Sequence, residues 1–163
     1  MTKQHPEPIP ATEHRHRLRR VTEIARRFGF AGRIDCRHVR SNAGGAQYGL
    51  GSSVAHDLLV IYAEAFVRDA DPEDFSLEAL VAHECGHQLV HRNADWQRVL
   101  TGPITSAAEE VLASVAGSVL VERPADRENL VLKAIHDAVR CGLDFDAASQ
   151  LVFELRRLLE KMR

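Results

Sequence analysis

Residues 77–93 read LEALVAHECGHQLVHRN. His83, His87 and His91 recur at a spacing of four, and Glu84 follows the first of them. Leu77, Leu80, Val81, Cys85 and Leu89 form a second, apolar set at helical intervals, so the stretch predicts an amphipathic helix with one core face. Residues four apart on a helix stack on one face. His83 and His87 therefore point the same way, at a separation that suits one metal ion. Glu84 lies beside that pair, off the ligand line but near enough to hold a water. Gly86 lacks a side chain, which lets another backbone pass close to the helix there, although glycine costs about 1 kcal/mol of helix propensity.

The pattern outside this stretch describes one domain. Residues 1–11 are rich in proline and polar groups and read as a disordered tail; residues 12–163 read as a single domain. Leu18, Val21, Ile24, Ala25 and Phe28 predict a helix from Thr12, closed by Gly29 and Gly32. RIDCRHVR (33–40), QYGLGSS (47–53) and DLLVIYAEAF (57–66) predict three strands, with SNAGGA as a turn. Asp71 or Ser76 is the expected cap of the histidine helix, with Pro72 in its first turn. A polar connection, NADWQRVLTGPITS (93–106), follows it. Three helices are expected after that: AAEEVLASVAGSVLVE (107–122), stopped by Pro124; DRENLVLKAIHDAVRC (126–141), capped by Asp126 and ended by Gly142; and DAASQLVFELRRLLEKMR (146–163). A helix, a small sheet and then helices make an α+β domain.

H-E-x-x-H on a helix supplies two zinc ligands and a general base. His83 and His87 are the ligands, and Glu84 is the base. An open zinc site needs one more protein ligand. The metzincin pattern is excluded, because Val90 stands in place of its glycine and Asn93 in place of its third histidine. His91 is one further turn along and too distant to share an ion with His83 on a straight helix. A contact to a ligand or to substrate, or plain surface, suits it better. The following helix offers Glu109 and Glu110. Glu110, Ala113, Ser114 and Gly117 form a stripe of small residues that permits close helix packing, which favours Glu110.

These residues resemble the gluzincin zinc peptidases, in which H-E-x-x-H is followed by a glutamate ligand on a separate helix. EEVLAS is similar to their third-ligand helix, with Glu110, Ala113 and Ser114 in the matching places; many members carry Asp where Ser114 stands. HECGHQLVH is similar to ImmA/IrrE-type metallopeptidases, and the short chain to minigluzincins. The resemblance implies a small twisted sheet packed on the active-site helix, a helical C-terminal half, and an edge strand above the zinc, within 47–53 or 57–66, that pairs with an extended peptide. It implies hydrolysis of a peptide or protein substrate. Zn2+ polarises water and the scissile carbonyl, while Glu84 moves the proton. An oxyanion donor is expected among His136, Tyr48, Tyr62 and His91. The rival reading is a regulatory or interaction protein that keeps zinc for structure. A structural site is closed by four protein ligands and has no use for Glu84.

The chain of 163 residues is 45% hydrophobic and carries a net charge of -2 with histidine neutral. No global field draws nucleic acid or anionic lipid, and the arginines of the first helix read as a solvated face. Cys36, Cys85 and Cys141 make no C-x-x-C pair, which favours a reducing compartment. No apolar leader or membrane span is visible. A cytoplasmic protein is expected.

Overall fold

The computed structural model describes residues 9–39, 41, 44–99 and 105–163. Helix α1 (Ala11–Arg27) buries Val21, Ile24 and Ala25. Residues 1–8 of the expected tail lie outside the described residues, and Ala11 already belongs to α1. Strands β1 (Arg33–Arg37), β2 (Ala46–Gly49) and β3 (Leu58–Tyr62) form one mixed sheet in the order β1-β3-β2. β1 runs parallel to β3, pairing Arg33 with Leu58 and Arg37 with Tyr62. β2 runs antiparallel to β3, pairing Ala46 with Ile61. The apolar run LLVIY takes the central place because both of its faces are covered; Leu59 and Ile61 are fully buried.

The expected third strand is shorter than its sequence run. Ala63–Asp69 forms a helix, α2, directly after β3. Both sheet partners of β3 end their pairing with it at Ile61 or Tyr62, so the ladder stops there. Ala63, Glu64 and Ala65 then follow their helix propensity. Helix α3 (Leu77–Arg92) is capped by Ser76, whose side chain accepts from the Ala79 amide. Asp71 and Pro72 stand in the turn before it. The expected polar connection holds a helix, α4 (Ala94–Val99), whose first turn is met by the Asn93 side chain.

Helices α5 (Ser106–Leu120), α6 (Pro124–Arg140) and α7 (Phe145–Glu160) complete the α+β fold. Pro124 opens α6 at its first position, where the missing N–H is harmless. Asp126 is therefore inside α6 and does not cap it. Its buried carboxylate accepts from Ser76 Oγ at 2.7 Å and joins α6 to the start of α3. One apolar core lies between α1, the sheet and α3. A second lies between α5, α6 and α7, built from Val115, Val119, Ala134, Ala148 and Val152. Among the described residues, no helix is long and apolar enough to cross a membrane.

α3 and α5 cross at two glycines. A Cβ on Gly86 would stand 2.1 Å from the Ala113 carbonyl oxygen, and one on Gly117 would stand 2.9 Å from the Ala82 carbonyl oxygen. Backbone meets backbone at both places, so the helices approach as closely as helices can. That crossing brings the upper end of α5 over the histidine face of α3.

Candidate metal centre

The two imidazoles and one carboxylate meet above the crossing. His83 Nε2 lies 3.1 Å from Glu110 Oε2, and His87 Nε2 lies 3.3 Å from Glu110 Oε1. Donor atoms of His83, His87 and Glu110 all lie within 4.8 Å of one another. A tetrahedral zinc with bonds of ~2.0–2.1 Å holds its donors roughly 3.3 Å apart. Both histidine–carboxylate spacings match that value, so the three residues could hold such an ion.

Each histidine is oriented by its other nitrogen. His83 Nδ1 is 2.9 Å from Ser114 Oγ, and Ser114 is fully buried. The Ser114 hydroxyl thus holds the His83 ring from behind. His87 Nδ1 is 2.9 Å from Glu109 Oε1. The same oxygen meets His91 Nε2 at 2.6 Å. Glu109 is therefore a bridge behind His87 and not a member of the donor triangle. His91 is held against Glu109 and Tyr48, and it too stands outside the triangle. Such outer partners fix the tautomer and the direction of a metal-binding imidazole.

Glu84 is 7% exposed. Burial pushes its carboxyl above the usual range, while the charges of His83 and His87 pull it back. Burial alone would lower His87. The hydrogen bond to Glu110, the charge of Glu84 and the Glu109 contact outweigh burial and carry its imidazole up to about 9. The same two histidines hold the Glu110 carboxyl far below the ordinary range. A cation held here would have to take the place of any proton on the His87 nitrogen it binds.

The triangle opens into a cleft of about 510 Å³. Ala46, Gln47 and Tyr48 line it along β2, and Gly44, Arg68, Glu84 and Lys133 line it elsewhere. β2 is an edge strand among the described residues. The Tyr48 ring lies parallel to His87, with centroids 6.0 Å apart. Its hydroxyl donates to Asp57 at 2.8 Å. Tyr62 donates to Gln47 at 3.0 Å. His136 is on the exposed face of α6 and does not line the cleft. Cys85 is buried, with its thiol pushed up by burial. Burial lifts Cys36 to about 11.

Three residues near the site carry no local motif. Lys133 reaches Glu110 Oε2 at 3.5 Å and Asp137 at 2.7 Å. Its signal is a Lys-to-Asp step of four on one helix face. Asp57 is fully buried and accepts from Tyr48, Gly51, Gln88 and Arg92. Arg68 donates to Asp74 and to the Gly44 carbonyl. Comparison of the chain with protein-family models, with curated proteins and with solved structures gives no match. The functional reading stands on the geometry of the site.

Proposed function

We propose that the protein is a zinc-dependent peptidase of gluzincin type, with His83, His87 and Glu110 as ligands and Glu84 as general base. The observation that carries this reading is the triangle of three donors, with a buried carboxylate beside it and a cleft on its open side. Zinc, when bound, supplies Lewis-acid polarisation of water and of the scissile carbonyl. Glu84 accepts a proton from that water and delivers it to the leaving amine nitrogen. Its burial favours this work, because a carboxyl with raised proton affinity can both take and return a proton. The edge of β2 gives an extended peptide backbone groups to pair with, so the substrate class is a peptide or an unfolded protein segment. The small sheet, the histidine helix and the helical second half suit a zincin-like domain. The unpaired cysteines suit the cytoplasm.

Glu84→Gln tests the reading. The variant keeps the shape of the side chain and removes the base. Elemental analysis should find about one zinc per chain in wild type and variant alike. Cleavage, followed by mass spectrometry on a peptide library, should fall ~10²–10⁴-fold. A substrate cut equally well by both proteins would defeat the assignment. A fourth protein ligand on the zinc would favour the structural alternative.

A further inference from the structure

Addition of water to a carbonyl carbon moves an electron pair onto the carbonyl oxygen. Sites for such chemistry aim a fixed donor at that oxygen. The four side chains expected in the role are committed elsewhere or remote. Tyr48 donates to Asp57, Tyr62 to Gln47, and His91 Nε2 meets Glu109. His136 is outside the cleft.

Among the described residues, Arg68 and Lys133 are the lysine and arginine side chains that line the cleft. Arg68 is locked by two contacts to Asp74 and one to the Gly44 carbonyl. Lys133 is different. An ammonium has three N–H donors and no acceptor. Asp137, one turn along α6, holds one of them at 2.7 Å. Glu110 Oε2 lies near another at 3.5 Å. The third is left for the cleft. Arg140 Nη1 lies 3.8 Å from the Asp137 carboxylate, so Asp137 is shared between two cations.

We propose that Lys133 is the oxyanion donor of this site. This role rests on the peptidase reading above. Asp137 anchors the ammonium at the rim of the donor triangle, and the remaining N–H donates to the oxygen that takes up the electron pair. The plain alternative is a surface ion pair between residues four apart on a helix, indifferent to any anion.

The test uses cobalt(II) in place of zinc, because its visible spectrum reports what enters the site. Methylphosphonate, a tetrahedral anion, is the probe. It is titrated into cobalt-loaded wild type, Lys133→Met and Lys133→Arg. Loss of a charged donor should weaken anion binding roughly 10- to 100-fold in Lys133→Met. Lys133→Arg should recover most of that loss. Cobalt affinity should change far less than anion affinity in both variants, because Lys133 meets Glu110 only at 3.5 Å. Equal anion affinity in wild type and Lys133→Met overturns the role, as does a cobalt-loaded wild type that binds no anion. A large fall in cobalt affinity in Lys133→Met also overturns it, because Lys133 would then be positioning Glu110. A wild type that binds no cobalt overturns the peptidase reading, and this role with it.

Discussion

Glu109 and Glu110 are neighbours in the chain with separate tasks. Glu110 reaches the Nε2 atoms of both histidines, whereas Glu109 stands behind His87 and bridges to His91. Removing a corner of the donor triangle opens it; removing an outer partner only loosens one ring. Glu109→Ala should therefore weaken zinc binding about 10–100-fold. Glu110→Ala should weaken it far more. Competition against a chelator ranks the two variants, and the reverse order would reverse the assignment. This distinction was partly legible. His83, Glu84 and His87 obey one helical spacing rule, and the small stripe of α5 points to Glu110. Nothing local points to the bridge from Glu109 to His91. Lys133 and Asp57 were equally hidden, because they reach the site from elements whose placement is a tertiary matter.

At the scale of elements, the crossing of α3 and α5 holds the two halves of the site in register. Gly86 is the tightest point of that crossing. Gly86→Ala gains helix propensity but drives a methyl group into the Ala113 carbonyl. Backbone cannot move aside as a flexible side chain does. Overpacking of this kind costs roughly 1–3 kcal/mol. The melting temperature should fall, and zinc affinity should fall with it as the helices part. Thermal unfolding and chelator competition on the same variant check both. A Gly86→Ala protein as stable as wild type would show that the helices can separate freely. The role of Gly86 was legible because a glycine inside a helix needs a reason. Two helices escaped the sequence reading. α2 continues an apolar run that alternates like a strand, and α4 is too short to show a period. Asp126 has the chemistry of a cap, but its carboxylate is used to join α6 to Ser76.

For the molecule as a whole, Asp57 is the junction between the sheet and the histidine helix. It gathers Tyr48 from β2, Gly51 from the following loop, and Gln88 and Arg92 from α3. Burial alone would raise its carboxyl. The contacts to Arg92, Gly51, Gln88 and Tyr48 outweigh burial and hold it well below the ordinary value. A depressed carboxyl stabilises the fold in full above its unfolded value of ~3.9, and that contribution is lost as the pH falls from there toward the folded value. Asp57→Asn should lower the melting temperature at pH 7 and flatten its dependence on pH below 4. Melting curves across that range measure both, and an unchanged slope would remove Asp57 from the account. The glycine crossing has a different kind of consequence. Contacts between α3 and α5 set the distance from His83 to Glu110, because backbone meets backbone at Gly86 and at Gly117. The two stops act as a ruler. The gap between the donors is gauged by main chain, which has no rotamers to relax, so the triangle keeps its size with or without a cation.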